Sequence, residues 1–440
     1  MALVIIYFLL FAIMFSSIVF FENSSKKIIL WGLIISFTSV FGYIIYFIFF
    51  CDKGYVKKFL YIKEKEDKIY KTLVNFKVGE EKAKSDLMNY NKRVYGVNTY
   101  KNSNLQILDN NEEFNNHLLE DIENANKYII IDTRCFCNSI NPDIILLNLV
   151  EKAKMGITVK VIYSQKSRKD KQLIKELKTS GARVCAFNKL YYTNGFYKNN
   201  KSIICIDGKI AYLYSQYSAN NNGKKVIEYF DKFYKLSGDI VKSIDLEAHL
   251  DVTFATRKFY DLQTTPTNPN GQDIEFQYIG SSINNSLLDL ILKAIISAKK
   301  SIYIHVDKFI PSESILQAIK LAVKSNIQVK IMISNINNQN GYYTSRSYVK
   351  ELARDGVVCY FYDGHINSNY VIVDEELTML GTMSFVNQKL LCDLQDVLLI
   401  NDKKTAEDFL NEFNTSVYNS YKLCNPKRVL FREKFFRKFM

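Results

Sequence analysis

Four histidines, His117, His249, His305 and His365, are the side chains whose ordinary protonation range lies nearest neutral pH. An imidazole can act as a nucleophile or shuttle a proton, so these are the first places to look for group-transfer chemistry. One of them, His365, adjoins a stretch that occurs twice. Residues 200–207 read N-K-S-I-I-C-I-D and residues 367–374 read N-S-N-Y-V-I-V-D, each a polar lead, a short β-type apolar run and an acid. His365 stands two positions before Asn367, where a turn or surface role is the plainer reading. His305 ends an expected strand beside Asp307 and Lys308; packing is again the plainer reading, but of the two it is the better cleft candidate. The eight cysteines are scattered, which points to reduced thiols rather than a disulfide framework, and Cys135 and Cys137 form only C-x-C without a nearby histidine. With no complete metal-ligand cluster, Walker loop or serine-histidine-acid order, no metal or cofactor is expected.

The elements that must position these residues alternate. In the first half, Phe114, Leu118, Leu119 and Ile122 recur at helical spacing, followed by a strand at 128–131, a helix at 145–153, a strand at 157–163, a helix at 169–178 and a strand at 184–187. The second half repeats the order: helix 287–296, strand 301–306, helix 315–323, strand 329–333, a helix containing 349–352, strand 357–360 and the motif strand 370–373. I-E-N-A-N-K-Y-I-I-I at Ile122 matches I-I-S-A-K-K-S-I-Y-I at Ile295, and L-K-T-S-G-A-R-V-C-A-F at Leu177 matches L-A-R-D-G-V-V-C-Y-F at Leu352. The expectation is an α/β protein of two duplicated α/β sandwich lobes, each with a mainly parallel sheet, related by a pseudo-twofold axis.

Outside the lobes, residues 1–21 and 28–50 are apolar runs joined by E-N-S-S-K-K, which predicts a two-helix transmembrane hairpin. Lys53, Lys57, Lys58, Lys63 and Lys65 follow the second run, favouring a multi-pass cell-membrane protein with its main domain in the cytoplasm. The resulting organisation is hairpin 1–51, membrane-proximal connector 52–104, first lobe 105–263, Pro/Asn-rich linker 264–272, second lobe 273–424 and a basic amphipathic segment 425–440. The formal net charge of +13 suits phosphates or an anionic surface without identifying either. In the last segment Lys427, Arg428, Lys434 and Lys438 lie among Phe431, Phe435, Phe436 and Phe439, a pattern for either an interfacial helix on anionic phospholipid or a packed terminal helix. Nucleic acid is not an expected partner, because it leaves the two apolar runs unexplained.

The chain resembles the bacterial cardiolipin synthases of the phospholipase D superfamily. The resemblance runs through the N-terminal hairpin, S-R-K-D-K-Q-L-I-K-E-L-K at Ser167, I-D-G-K-I-A-Y at Ile206, F-I-P-S-E at Phe309, R-S-Y-V-K-E-L at Arg346 and G-T-M-S-F at Gly381. It implies two phospholipase D-like lobes with a cleft between them and a His-x-Lys-x4-Asp motif in each. In that family one histidine forms the covalent adduct, the other is acid and base, and the lysines hold the phosphodiester. Counting back from Asp207 puts Asn200 and Ser202 at the histidine and lysine positions; counting back from Asp374 puts Asn367 and Asn369 there. An asparagine amide has no proton to exchange near neutrality and is a poor nucleophile. Lys201 falls between the motif positions and, in an extended strand, faces the other way.

Other matched positions also depart from the family. Ser384 stands for the asparagine of its Gly-Thr-x-Asn phrase, Gln388 for an arginine, and Asp393 and Gln395 for an Asn-x-Glu pair. Tyr214 and Ser215 replace a small Gly-Gly pair, so Tyr214 is expected to narrow or fill the cleft, while Asp231 keeps a family acid in altered surroundings. Asp207 and Asp374 read either as caps of the motif segments or as acids that favour a cationic ligand. The resemblance and the substitutions together imply a membrane-anchored pseudoenzyme, an anionic-lipid-binding scaffold or regulator of phospholipid synthesis whose partner is an active enzyme of that synthesis or a second copy of itself. The alternative is a divergent phosphatidyltransferase or phospholipase acting on phosphatidylglycerol-type phosphodiesters through His305, His365 or another group.

Overall fold

The computed structural model describes residues 2–21, 25–49, 83–134, 142–164, 170–187, 199–215, 229–256, 271–280, 286–336, 341–423 and 437. The chain divides into two units, one holding residues 1–77 and 188–198, the other 78–187 and 199–440. The first contains helices α1 (Ala2–Phe21), α2 (Ser25–Thr38) and α3 (Val40–Phe49). Met14, Ile18, Trp31, Ile35 and Tyr46 form its small core, and the Ser17 hydroxyl donates to Tyr43 Oη at 2.9 Å.

The second apolar run is not one helix. Ser39 adopts φ 51° between α2 and α3, leaving pieces of 14 and 10 residues, about 21 and 15 Å at ~1.5 Å per residue. In α1 the side chains are described over residues 6–19. Among the described residues no helix is long and apolar enough to cross a membrane. The expected transmembrane hairpin is thus corrected, and with it the membrane anchoring and the multi-pass cell-membrane location built on it; the expectation of an anionic phospholipid membrane as partner is corrected as well. Lys427, Arg428, Lys434 and Lys438 lie outside the described residues. Arg437, which is described, stacks 4.0 Å over the Tyr348 ring and pairs with Glu351.

The larger unit opens with α4 (Asp86–Tyr95), capped by the Ser85 side chain and closed by Gly96 at φ 68°. Its Leu87 and Met88 enter the second lobe's core, and Asn91 donates to Gln277 at 2.9 Å. The first lobe then runs β1 (Ser103–Leu108), α5 (Asn111–Glu123), β2 (Tyr128–Thr133), α6 (Pro142–Lys154), β3 (Thr158–Tyr163), α7 (Asp170–Thr179), β4 (Arg183–Ala186), β5 (Ile203–Ile206), β6 (Ile210–Tyr214), β7 (Tyr229–Phe230), β8 (Phe233–Gly238) and α8 (Val241–Thr256). Phe114, Leu118 and Ile122 form the buried stripe of α5, and Asn110 caps it by accepting from Glu113 N at 2.9 Å. The second lobe runs β9 (Glu275–Gly280), α9 (Ser286–Ser297), β10 (Ser301–Val306), β11 (Phe309–Ile310), α10 (Glu313–Lys324), β12 (Gln328–Ser334), α11 (Tyr342–Arg354), β13 (Val358–Tyr362), β14 (His365–Ile366), β15 (Asn369–Val373), β16 (Leu377–Gly381), β17 (Phe385–Val386), α12 (Asn387–Cys392), β18 (Asp396–Asn401), α13 (Lys403–Tyr418) and β19 (Ser420–Lys422).

The sheet orders are β1-β8-β6-β5-β2-β3-β4 and β19-β13-β12-β10-β15-β16-β18-β9. Only β2–β3–β4 and β10–β12–β13 run parallel within them; β5, β6, β8 and β1, like β15, β16, β18 and β9, are joined antiparallel. The expectation of mainly parallel sheets is corrected to two mixed sheets. Strand-helix alternation describes only the first part of each lobe, and the remainder returns through hairpins that need no crossover helix. The duplication survives the correction, since the two strand orders match once β19 is set aside.

Candidate functional site: the seam between the lobes

Each motif strand ends in a hairpin turn whose first residue is the motif acid. Asp207 and Asp374 sit at φ 53° and 55°, followed by Gly208 at 62° and Glu375 at 58°, left-handed backbone that aspartate tolerates better than most residues. The Asp207 carboxylate accepts from the N–H groups of Asn126, Lys127 and Tyr128 at 2.7–2.8 Å. Asp374 does the same for Lys299, Lys300 and Ser301 at 2.6–3.0 Å. Both acids therefore fasten the start of the neighbouring central strand. They stand at the far end of the motif strand from the residues that face the other lobe.

At the near end the lobes exchange contacts in pairs. Asn200 Nδ2 donates to Asp393 Oδ2 of the second lobe at 2.5 Å. Asn367 Nδ2 donates to Asp231 Oδ1 of the first lobe at the same distance. Backbone pairing repeats the exchange: Asn199 bridges Leu394 in parallel, and β14 pairs with β7, His365 beside Tyr229 and Ile366 beside Phe230. Ser368 completes it by accepting from Lys232 N at 2.6 Å and donating to Lys232 O at 3.1 Å. Burial raises the Asp231 carboxyl above its usual range, opposed by the Asn367 amide and by nearby His365.

The lysine positions of the motifs are neutral and structural. Asn369 accepts from Asp307 N at 3.0 Å and donates to Met383 O at 2.7 Å. Ser202 is wholly buried, and its hydroxyl has no hydrogen-bond partner among the described residues. Lys201 points away, as alternation requires: with Asn199 it meets a buried acid group in which Lys201 Nζ pairs with Glu247 at 2.6 Å and with Asp251, while Asn199 Nδ2 donates to Asp132 at 2.8 and 2.9 Å. Burial alone would lower the Lys201 ammonium, but Asp251, Glu247 and Asp132 outweigh it and hold the charge firmly. Burial, then the adjacent Asp251, drives Asp132 upward instead. Gly280 of β9 borders this group, and a Cβ there would fall 2.2 Å from Glu247 Oε1.

The two candidate histidines are placed differently. His305 is fully buried, stacked on Tyr370 at 4.5 Å and against Phe230 at 4.6 Å, and burial pulls its imidazole down to about 3. His365 lies at the seam, half-buried, with Nδ1 3.9 Å from Asp307 Oδ1. Tyr214 does not fill the cleft: it is buried in the first lobe's core against Phe114 and Phe233, its hydroxyl donating to Thr133 at 3.2 Å. Ser384 and Gln395 brace one another, Ser384 N donating to Gln395 Oε1 at 2.7 Å and Gln395 Nε2 to Lys389 O at 2.8 Å, while Gln388 is exposed. His249 packs beneath the first sheet, near Asp245 and Tyr128. The acids Asp132, Glu247 and Asp251 had no motif to announce them. Only the strand alternation that set Lys201 apart gave a signal. Among the described residues no group of three or more His, Cys, Asp or Glu side chains can hold a metal ion, and Cys185, Cys205 and Cys359 are free thiols.

Residues 291–417, within the second lobe, match the family described as the cardiolipin synthase, phospholipase D-like domain. A probable cardiolipin synthase of Bacillus subtilis is 27% identical over 439 residues, covering 92% of this chain and 85% of its own. A cardiolipin synthase of Staphylococcus aureus is 26% identical, covering 90% and 86%. Among solved structures, the phosphatidylserine synthase of Haemophilus influenzae has a TM-score of 0.56 at 14% identity, over 81% of this chain and 97% of that one. The polyphosphate kinase of Porphyromonas gingivalis scores 0.52 at 12%, over 77% and 52%; at these identities the likeness is one of fold. The chain belongs to the phospholipase D superfamily and is distantly related to the known cardiolipin synthases.

Proposed function

We propose that this protein is a non-catalytic member of its superfamily, a two-lobed body whose cleft holds a ligand without phosphodiester transfer. The observation that carries this reading is the paired occupation of the histidine positions by Asn200 and Asn367, each bonded across the seam to a carboxylate. An amide so held offers no lone pair for attack on phosphorus and no proton for the leaving group. With Ser202 and Asn369 at the lysine positions, the charge that would stabilise a transferring phosphoryl group is also gone from those positions. The relatives' named activity supplies the test. Purified full-length chain in detergent micelles is incubated with labelled phosphatidylglycerol, and cardiolipin and glycerol are measured. Product no faster than the protein-free control is expected; sustained turnover would sink the proposal. A second reading, divergent phosphatidyl transfer, rests on His365 lying beside Asp307 and electrostatically coupled to Asp231. It predicts turnover that disappears in His365→Gln.

A further inference from the structure

Away from the asparagine pairs, the lobes also meet where α8 of the first lies against β9 of the second. Gly280 of β9 is so close to Glu247 of α8 that a Cβ on it would fall 2.8 Å from Glu247 Oε2. The Glu247 carboxylate thus takes the place where a side chain at position 280 would stand. Asp396 of β18 is the residue directly opposite Gly280 in the antiparallel pair. Residues so opposed carry their side chains on one face, with Cβ atoms roughly 4.5–5.5 Å apart. Two acids, one from each lobe, therefore stand as cross-strand neighbours would, an arrangement that like charges disfavour.

The groups around this pair supply little positive charge. Lys201 divides its ammonium between Glu247, at 2.6 Å, and Asp251. Asp132 takes the neutral Asn199 amide, and Asp396 Oδ1 accepts from Thr382 N at 3.1 Å. Asp396 Oδ2 has no hydrogen-bond partner among the described residues. The same holds for the hydroxyl of Tyr278, which shares the Gly280 face of β9. Asp132, Asp251, Asp396, Lys201 and Tyr278 are all buried, and carboxylates in such surroundings neutralise unless they are paired. Burial raises the Glu247 carboxyl, with Lys201 opposing and Asp251 and Asp396 adding to the rise. It raises Asp396 as well, against Thr382 and Lys201. The Tyr278 hydroxyl and the nearby Cys205 thiol are pushed up and stay neutral.

We propose that Glu247 and Asp396 form a proton-linked latch between the lobes: one proton taken from water is held by the pair while the lobes are closed on one another, and is returned to water when they part. The proton gives Asp396 Oδ2 the partner it otherwise lacks and removes the repulsion between the two acids. On parting, both carboxyls regain water and return toward their ordinary values of about 4. The open form therefore holds the proton less tightly than the closed one. Closure is fullest in mild acid and weakens as the pH rises above the ordinary carboxylate range, by at most about tenfold per pH unit for one proton. Gly280 is part of the device, since any side chain there would displace Glu247. The latch is independent of what the cleft does with a ligand.

The test is hydrogen–deuterium exchange of the full-length chain, read by mass spectrometry on peptides from α8 and β9 at pH ~5.5 and ~8.5, with labelling times scaled for the intrinsic effect of pH on exchange. Protection of both segments is expected to be about tenfold or more lower at the higher pH, while β12, inside the second sheet, keeps its own. Asp396→Asn and Glu247→Gln each remove one charge at nearly constant shape and should abolish the difference. Lys403→Gln, whose side chain is 74% exposed, should retain it. Circular dichroism at both pH values confirms folding of each variant, and the wild-type chain decides by itself should a variant fail to fold. Protection of α8 and β9 that is the same at both pH values in the wild-type chain, or a difference that persists undiminished in either folded variant, overturns the proposal. Lipid turnover in the separate assay would sink the non-catalytic reading and leave the latch standing.

Discussion

Behind the first motif strand lies a cluster of ions, and behind the second a stack of rings, although the two strands are built alike. Asp132 sits beside Ile203 in one lobe, and His305 sits beside Tyr370 at the matching place in the other. The residue between the motif positions is Lys201 in the first and Ser368 in the second. The helix behind completes the contrast: α8 brings Glu247 and Asp251, whereas α13 brings Phe409, 5.1 Å from Tyr370, and Phe413, 6.2 Å from His305. The difference teaches that the reverse face has one requirement, mutual satisfaction, met by charge against charge or by ring against ring. The seam-facing side is not free in this way, because both lobes present the same asparagine and receive the same carboxylate.

The sharpest way to break this comparison is Lys201→Met, which leaves Asp132, Glu247 and Asp251 buried without their cation. A loss of about 3–5 kcal/mol in urea denaturation is expected, the cost of orphaning buried charge; a loss below roughly 1 kcal/mol would show that the ions do not hold the first lobe. The ring side is probed by pH. Burial holds His305 at about 3, against ~6.5 in an unfolded chain. Between these values the unfolded chain binds a proton that the folded one refuses, so stability is full above pH ~6.5 and falls as the pH drops toward 3, by at most about 1.4 kcal/mol per unit. His305→Phe should flatten that decline; urea midpoints at pH 7 and 4.5 that fall equally in both proteins would rule it out. The smallest effect tests what the lobes share. Asp207→Asn and Asp374→Asn each weaken charged acceptance of three backbone N–H groups and should cost a similar ~1.5–3 kcal/mol. A markedly unequal pair of losses would mean that the two turns are not equivalent supports.

Much of the local framework was legible. The expected strand at 301–306 is β10, and the stripe of Phe114, Leu118 and Ile122 is the buried face of α5, since short-range periodicity is written in consecutive residues. The antiparallel half of each sheet was not. Runs such as I-A-Y-L-Y at 210–214 carry strand character but no direction, and the turn signal Asp207-Gly208 was read as a motif rather than as a hairpin. Helix α8 hid because Asp245, His249 and Asp251 are buried among its apolar residues, which blurs an amphipathic pattern. At the site, Asn200, Asn367, Asp231 and Asp393 were each singled out, but their pairing was invisible: Asn200 and Asp393 are separated by 193 residues, and nothing local in a sequence encodes such a contact. Tyr214 stands where the family has a glycine, which places it at the cleft by resemblance, whereas the alternation of β6 turns it into the core.

The exchange at the seam has a consequence for assembly. Each lobe carries both halves of the contact, an asparagine to give and an aspartate to receive: Asn200 with Asp231 in the first, Asn367 with Asp393 in the second. Such a patch is self-complementary, the hallmark of an isologous dimer interface in which residue i meets j while j meets i. Here both copies of the patch lie in one chain, so their association is intramolecular and the effective concentration of the partner is set by chain connectivity rather than by protein supply.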